Sequence, residues 1–255
     1  MLFHEIIFGP IESRRFGTSL GINLLPLDNK ICNFNCIYCE CGWTDLRAVD
    51  SKFFPEKHIV DAMEKRFSEI SQEEKKPQAI TFAGNGEPTM HPAFDRIIEK
   101  TVELRDKYLP GIKIVVLSNA ALLSNKKVFN ALAKADLRVM KLDAGSEELF
   151  QLIDQPLSLK KLNDYVEKLT EFNGKLSIQT IFLKGRYKNV YIDNTSDAEV
   201  DKWIGLLKKI RPESVMIYTI DRATPAQGLE KITEEKLNEI CRKVTDAGIN
   251  AKVYY

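Results

Sequence analysis

The sequence has no apolar stretch long enough to cross a membrane. A transmembrane helix needs roughly 18 to 20 consecutive apolar residues, and no run of that length occurs in the chain. The first ten residues include Glu5 and carry no basic cluster, which is not the pattern of a secretory signal peptide. We therefore expect a cytoplasmic protein with no membrane partner.

An excess of charge of either sign is also missing. Lysine and arginine together number 37 and aspartate and glutamate 36, so the formal net charge is +1. A nucleic-acid-binding domain usually has a strongly basic balance, which this composition does not show. With 44% hydrophobic and 29% charged residues, the chain resembles an ordinary globular protein that can bury a sizeable core.

Cysteine is scarce but unevenly distributed. Four of the five cysteines fall within ten residues, at Cys32, Cys36, Cys39 and Cys41. An odd number crowded in this way argues against a framework of disulfide bonds, and in a reducing compartment such crowding indicates metal binding. The fifth, Cys241, lies in a predicted helix and is interpreted as a core residue.

Short apolar runs alternate with longer amphipathic runs. The short runs are rich in β-branched residues and predict buried parallel strands, at 79–83, 112–117, 137–142, 176–183, 214–220 and 250–255. The longer runs place apolar residues three and four positions apart and predict helices, at 56–75, 92–108, 124–134, 158–172, 197–210 and 233–247. Ser124, Ser158 and Thr233 are predicted N-caps, and Gly248 a C-terminal cap.

Strand–helix alternation implies βαβ units and a parallel sheet. We count about six such units from this pattern, and no linker rich in Pro, Gly or Ser divides the chain. The sequence therefore predicts one domain over residues 1–255, in which residues 1–31 lead into the cysteine loop. Polar residues follow most of the strands, at the edge where such sheets carry their chemistry.

The cysteine loop reads KICNFNCIYCECGW from Lys30, a Cys-x3-Cys-x2-Cys spacing. Three thiolates on a short loop can bind three irons of a [4Fe–4S] cube and leave the fourth iron open. A structural zinc site that uses all four cysteines is the alternative. Zinc loops, however, usually present two separated pairs of cysteines rather than four in one run.

The segment CNFNCIYC resembles the signature loop of the radical SAM superfamily, Cys-x3-Cys-x-aromatic-Cys. This resemblance implies that Cys32, Cys36 and Cys39 hold a [4Fe–4S] cluster whose open iron binds the amino and carboxylate groups of S-adenosylmethionine (SAM). It further implies reductive cleavage of SAM to methionine and a 5′-deoxyadenosyl radical, which abstracts hydrogen from a substrate. Tyr38 takes the family's aromatic position, near the adenine.

A second motif, GNGEPTM, directly follows the strand predicted at 79–83. It resembles the family's Gly-Gly-Glu motif, which binds the α-amino group of SAM, and so assigns cofactor binding to Gly84, Asn85, Gly86 and Glu87. Taken alone, the motif is a weak signal that is equally compatible with a simple strand–helix turn. Polar residues at later strand ends are further candidates for binding SAM or substrate, or are cap and turn residues, namely Ser118, Asn119, Lys141, Asp143, Gln179 and Thr180.

The N-terminal segment carries a finer resemblance. FGPIESRRFGTSLGIN, followed by the cysteine loop, is similar to radical SAM proteins grouped with the wyosine tRNA-modification enzymes over residues 8–41. Arg14 and Arg15 are candidates for binding an anionic substrate group, or for an ion pair that tethers this segment. Those enzymes carry extra cysteines for a second cluster. Here no cysteine precedes Cys32, so we do not transfer their tRNA activity.

The resemblance implies a compact radical SAM core, an α/β fold of the partial parallel (βα)6 barrel type. Its open lateral face would admit a sizeable substrate, including a macromolecule, and its cluster would need an external electron donor of flavodoxin or ferredoxin type. The substrate stays open. A glycyl-radical-enzyme activase and a tRNA-modifying enzyme are the enzymatic alternatives, and a non-catalytic zinc module is the alternative of another class. A phosphate-loop protein is disfavoured because the sequence has no Gly-x4-Gly-Lys-Ser/Thr run.

Overall fold

The computed structural model describes residues 2–44, 53–158 and 161–255. The chain divides into two compact units, Met1–Cys32 with Thr44–Arg138 and Asn33–Trp43 with Val139–Tyr255. Compact units do not by themselves decide the number of domains, so the single domain over residues 1–255 stays a prediction. In the described part of the chain, no helix is both long and apolar enough to span a membrane.

In its described residues, the first unit has a sheet of four strands and three α-helices. Its strands are β1 (Ile7–Ser13), β2 (Gly17–Ile22), β3 (Ala79–Phe82) and β4 (Lys113–Ser118). β1 and β2 form an antiparallel hairpin, whereas β2, β3 and β4 run parallel, with Leu20 opposite Ile80 and Ile80 opposite Ile114. The helices are α1 (Glu56–Ser71), α2 (Phe94–Tyr108) and α3 (Lys126–Lys134).

Side-chain alternation decides which face of this sheet meets the helices. Phe82 of β3 packs edge-on against Phe94 of α2, with ring centroids 6.4 Å apart. Successive strand residues point to opposite faces of a sheet. Thr81 and the residues in register with it, such as Gly21 and Val115, therefore lie on the face turned away from α2.

The second unit has a parallel sheet with an antiparallel extension. Its strands are β5 (Leu137–Lys141), β6 (Ser177–Tyr187), β7 (Val190–Asp193), β8 (Ser214–Thr219), β9 (Leu229–Lys231) and β10 (Ala251–Tyr254). β5, β6, β8 and β10 pair in that order and in parallel, while β7 and β9 pair antiparallel with the end of β6. The helices are α4 (Glu147–Ile153), α5 (Leu162–Thr170), α6 (Asp197–Ile210) and α7 (Glu234–Asp246).

Every strand and helix predicted from periodicity is present within a few residues of its predicted bounds. Two predicted caps are wrong. Asn125, not Ser124, caps α3 by accepting from the N–H of Lys127, and α5 begins after Lys161 rather than after Ser158. Thr233 caps α7 as predicted, and Gly248 follows that helix in the left-handed conformation.

The strand order distinguishes between two kinds of α/β fold. In each unit the parallel strands lie in the order in which they occur along the chain. A doubly wound sheet reverses its strand order at a switch point, whereas a (βα) barrel winds in one direction only. The predicted α/β class with mostly parallel strands is confirmed.

Candidate cofactor site

In the first unit, the turn after β3 is paired with the segment that leads into the cysteines. The N–H of Ile31 donates to the carbonyl oxygen of Asn85 (2.9 Å), and the N–H of Glu87 donates to the carbonyl oxygen of Ile31 (3.0 Å). Gly86 has φ +135°, and a Cβ there would lie 1.8 Å from the Ile31 oxygen. Only glycine permits this approach, so Gly86 lets the turn hold the residue next to Cys32.

Asn85 is fully buried and bonds to the N-terminal segment. Its side-chain oxygen accepts from the N–H of Phe3 (2.8 Å), and its amide nitrogen donates to the carbonyl oxygens of Phe3 and Pro26 (2.8 Å each). Its backbone N–H donates to the side-chain oxygen of Asn23, which also lies against Gly84. These bonds show how Asn85 builds the turn, and a direct cofactor contact from Asn85 stays a prediction.

Glu87 links the turn after β3 to the end of β4. Its buried carboxylate accepts from the hydroxyl of Ser118 (2.8 Å), from the N–H of Asn119 (2.6 Å), and from the N–H (3.1 Å) and hydroxyl of Thr89. Burial raises the pKa of Glu87, and the hydrogen bonds oppose that rise. The carboxylate therefore fixes the two strand ends of the site relative to each other.

Asn119 extends this arrangement to the first cysteine. Its side-chain nitrogen donates to the sulfur of Cys32 at 3.5 Å, and its side-chain oxygen accepts from the N–H of Ala121 (3.0 Å). The first unit thus brings together Cys32, Glu87, Ser118 and Asn119, all predicted from the sequence. Hydrogen bonds to cysteine sulfur are among the factors that set the reduction potential of an iron–sulfur cluster.

The second unit holds the remainder of the cysteine loop. The N–H of Ile37 donates to the carbonyl oxygen of Ile153 (3.0 Å), and the N–H of Leu157 donates to that of Asn33 (2.9 Å). The loop therefore lies antiparallel to the segment after α4. Phe34 is fully buried and anchors the loop. The centroid of its ring lies 5.8 Å from that of Phe150 and 6.4 Å from that of Tyr165.

Tyr38 lies in a buried charged network in the second unit. Its hydroxyl donates to the carboxylate of Asp143 and accepts from the ammonium of Lys141, which is itself 2.8 Å from Asp143. Burial and the neighbouring Asp143 raise the pKa of Tyr38 well above its usual value, so the phenol stays protonated. Burial opposes the charge on Lys141, but the combined effect of its neighbours, Asp143 foremost among them, outweighs burial and raises the pKa of Lys141 well above its usual value.

Asp154 belongs to the same network, although no sequence signal marked it. One of its carboxylate oxygens accepts from the thiol of Cys36 (3.5 Å) and lies 3.6 Å from the ammonium of Lys141. The other oxygen is buried and has no hydrogen-bond partner within the described part of the chain. Burial and the nearby Asp143 raise the pKa of Asp154 well above its usual value.

The remaining predicted residues lie as follows. Thr180 donates to the carbonyl oxygen of Leu142 (2.7 Å) between neighbouring strands, and Gln179 is buried in β6. Arg14 is exposed at the turn of the β1–β2 hairpin, whereas Arg15 is partly buried with its guanidinium 5.6 Å from the centroid of the Phe16 ring.

The cysteines fit a thiolate-bound cluster in their chemistry. Cys36 is buried, while Cys32, Cys39 and Cys41 are partly exposed. Among the described residues, no three His, Cys, Asp or Glu side chains stand together as a single metal ion requires. A cubane does not need such convergence, because each thiolate binds a different iron. Since Cys32 belongs to one unit and Cys36 and Cys39 to the other, their shared cluster stays a prediction from their spacing.

Comparison with known proteins places the chain in a family. The model of the Radical SAM superfamily matches residues 29–189. A UPF0026 protein of Helicobacter pylori is 31% identical over 236 residues, which are 91% of this chain and 71% of that protein. A protein of Brachyspira hyodysenteriae named GTPase Obg is 30% identical over 251 residues, 97% of this chain. The chain spans about a third of that relative's length, 34%.

Solved structures show the same fold. A radical SAM methyltransferase from Sphaerobacter thermophilus superposes with a TM-score of 0.66 at 16% identity, covering 93% of this chain and 66% of that one. Archaeal TYW1 superposes with a TM-score of 0.51 at 12% identity, covering 90% of this chain and 72% of that one. The fold of the radical SAM core, predicted as a partial (βα) barrel, is thereby confirmed. The chain belongs to the radical SAM superfamily.

Proposed function

We propose that this chain is a radical SAM enzyme that removes a hydrogen atom from its substrate. Cys32, Cys36 and Cys39 would hold a [4Fe–4S] cluster, and the turn from Gly84 to Glu87 would bind the amino group of SAM. When bound, these groups supply reductive cleavage of the sulfonium bond, giving methionine and a 5′-deoxyadenosyl radical. The observation that carries the proposal is the bonding of the Gly84–Glu87 turn to Ile31, directly before Cys32.

The chain's own residues position these groups. Asn119 donates to the sulfur of Cys32 and is itself held by Glu87, so the carboxylate orients the amide that faces the cysteine. Tyr38 is fixed through its hydroxyl by Asp143 and Lys141, which limits the freedom of its ring beside Cys39. Such fixed side chains would set the orientation of a cofactor, while the cofactor supplies the chemistry.

Reduction of the cluster requires an electron from outside the chain. We propose an external donor of flavodoxin or ferredoxin type. Support comes from the cysteine count, because only Cys41 and Cys241 remain beyond the three proposed ligands, too few for a second cluster with four thiolate ligands. The GTPase name of the Brachyspira relative is not transferred, since this sequence has no phosphate-loop motif.

The test is cofactor analysis followed by turnover. The chain is reconstituted anaerobically with iron and sulfide, reduced with dithionite and supplied with SAM, and 5′-deoxyadenosine is measured by chromatography. We expect about four irons per chain and formation of 5′-deoxyadenosine. Cys36→Ala should lose both, whereas Cys241→Ala, which changes a partly buried thiol in α7, should keep both.

Cys41→Ala distinguishes the two kinds of metal site. A three-cysteine cluster predicts iron content and SAM cleavage close to those of the wild type, because Cys41 lies outside the Cys-x3-Cys-x2-Cys spacing. A four-cysteine zinc site predicts loss of metal from Cys41→Ala and Cys36→Ala alike. Zinc in place of iron in the purified protein, with no SAM cleavage after reconstitution, would refute the proposal.

A further inference from the structure

The first unit contains a cavity of about 160 Å³ on the face of its sheet turned away from α2. Small or apolar residues form its floor. Ser19 and Gly21 lie on β2, Thr81 lies on β3 with Ala83 directly after that strand, and Leu117 lies on β4. Alternation places these positions on one face, opposite the face on which Phe82 meets α2. The cavity therefore lies on the face of this sheet that α2 does not cover.

Two stacked aromatic rings form a wall of this cavity. Phe3 and Phe8 lie with ring centroids 3.9 Å apart and ring planes 20° from parallel. The ring of Phe8 occupies the space above Gly21, where a Cβ would come within 2.1 Å of it. Glycine at this position thus makes room for a flat apolar wall, against which a planar ring can pack.

The polar groups of the cavity are few. Of the described residues that line it, Arg15 alone is charged. The hydroxyls of Ser19 and Thr81 form a hydrogen-bonded pair 2.7 Å apart on the floor. An apolar cavity with a small number of polar groups is the usual form of a small-molecule site, and guanidinium is suited to carboxylate and phosphate.

The cavity also adjoins the candidate cofactor site along the chain. Ala83 immediately precedes Gly84 of the cofactor turn, and Leu117 immediately precedes Ser118, which donates to Glu87. A larger depression of about 460 Å³ lies along the exposed side of α1, and none of the candidate site residues lines it. Position therefore favours the smaller cavity as a place for a reacting molecule.

Size limits what the cavity can hold. Apolar cavities of about 150 Å³ are known to accept benzene, so 160 Å³ fits a single six-membered ring. We propose that this cavity binds the ring of a small substrate whose carboxylate or phosphate group pairs with Arg15. The assignment rests on the proposed function, because it takes the occupant to be the molecule from which hydrogen is removed.

The test uses the full-length reconstituted chain and four simple probes in ligand-observed NMR under anaerobic conditions. Phenyl phosphate and benzoate carry both a ring and an anion, benzyl alcohol carries the ring alone, and inorganic phosphate carries the anion alone. We expect the first two to bind and the last two to bind at least about tenfold more weakly, because each lacks one of the two contacts. The stronger of phenyl phosphate and benzoate identifies the anionic group.

Substitution then assigns the binding to this cavity. Arg15→Gln should weaken the binding of the better probe by about tenfold or more, since it removes a charge-assisted hydrogen bond. Arg15→Lys should give an intermediate loss, because it keeps the charge but loses the planar fork. Arg14→Gln, at the exposed neighbouring position, should bind as the wild type does.

Several outcomes would overturn the assignment. These are no binding of either two-part probe, equal binding of benzyl alcohol and phenyl phosphate, or equal loss from Arg14→Gln and Arg15→Gln. The result is separable from the proposed function, because probe binding needs no SAM cleavage. A chain that forms 5′-deoxyadenosine but binds no probe loses only the cavity assignment. A chain that binds the probes through Arg15 but forms no 5′-deoxyadenosine loses the proposed function.

Discussion

Among single residues, Glu87 makes the contacts on which the candidate cofactor site of the first unit depends. Its carboxylate accepts from groups of Thr89, Ser118 and Asn119, and Asn119 in turn donates to the sulfur of Cys32. A carboxylate can accept at both oxygens at once, whereas an amide offers one oxygen and presents donors on the other side. The four groups that donate to this side chain therefore favour a carboxylate at position 87.

We predict that Glu87→Gln lowers the free energy of unfolding by about 1 to 3 kcal/mol, since its amide would face a buried donor. Urea denaturation of the cluster-free chain measures this change. Glu103→Gln is the matched control, because Glu103 is 60% exposed and pairs with Lys100 on the surface of α2. That substitution should cost less than about 1 kcal/mol. Equal losses from the two variants would contradict the role assigned to Glu87.

The raised pKa of Glu87 gives a prediction on pH. The folded chain holds this proton more tightly than the unfolded chain, whose pKa is near 4.5. This tighter binding of the proton adds to the free energy of unfolding. The added stability is fully present below pH 4.5 and is lost as pH rises through the pKa of Glu87 in the folded chain. The stability difference between wild type and Glu87→Gln should therefore be larger at about pH 4 than at about pH 7. Urea titrations at both values check this, and a difference that grows with pH would refute it.

At the scale of elements, the turn after β3 and the segment before Cys32 behave as one piece. Their contact requires a backbone approach at Gly86 that no side chain permits. In the second unit the cysteine loop is fastened by the segment after α4, which the sequence did not mark as functional. Binding residues on these loops are thus positioned by backbone hydrogen bonds to neighbouring segments, in addition to the strands that precede them.

A pair of glycines tests this element. Gly86→Ala should destabilise the chain by at least about 2 to 3 kcal/mol, because it combines a positive φ with a clash against the Ile31 carbonyl. It should also reduce the iron retained after reconstitution. Gly205→Ala, in the middle of α6 with open space around its Cα, should stabilise the chain by about 0.5 to 1 kcal/mol. Denaturation curves measure the stability of both variants, and iron analysis measures the metal that each retains. Equal stability and equal iron content in the two variants would contradict the role assigned to Gly86.

At the scale of the whole molecule, the net charge bears on the kind of substrate. The N-terminal segment resembles radical SAM proteins grouped with the wyosine tRNA-modification enzymes. The net charge of +1, however, offers little general attraction for a polyanion. Because counterion release dominates non-specific binding to nucleic acids, a chain of nearly balanced charge should bind a polyanion weakly.

We therefore predict weak binding of bulk tRNA, with a dissociation constant above about 100 µM near 0.15 M salt. Fluorescence anisotropy of labelled tRNA over a range of salt concentrations measures it. Micromolar binding that weakens steeply with added salt would instead support a tRNA-modifying enzyme, and it would count against a small-molecule substrate bound at Arg15.

The sequence by itself determined the α/β class, six of the strands, six of the helices and the family. Periods of two and 3.6 residues reflect local burial, and the cysteine spacing and GNGE turn are contiguous, so both are readable without coordinates. The cap at Ser124 was wrong because the neighbouring Asn125 takes that role. The cap at Ser158 was wrong because α5 begins only after Lys161, where the N–H of Leu162 donates to Glu147 at the start of α4. The strands β1, β7 and β9 were missed because they are mostly exposed and carry little apolar pattern. The helix α4 was missed because its seven residues are too few for a helical period to stand out.

Only the tertiary structure decided which polar residues meet. Asn119 and Cys32 are separated by 87 positions and Asp154 and Cys36 by 118, and no local pattern encodes such contacts. The structure also distinguished Arg15, which lines a cavity, from Arg14, which is exposed beside it. The physical reason is the same in each case. Local sequence fixes the conformation of a segment, but the packing of distant segments fixes which side chains face one another.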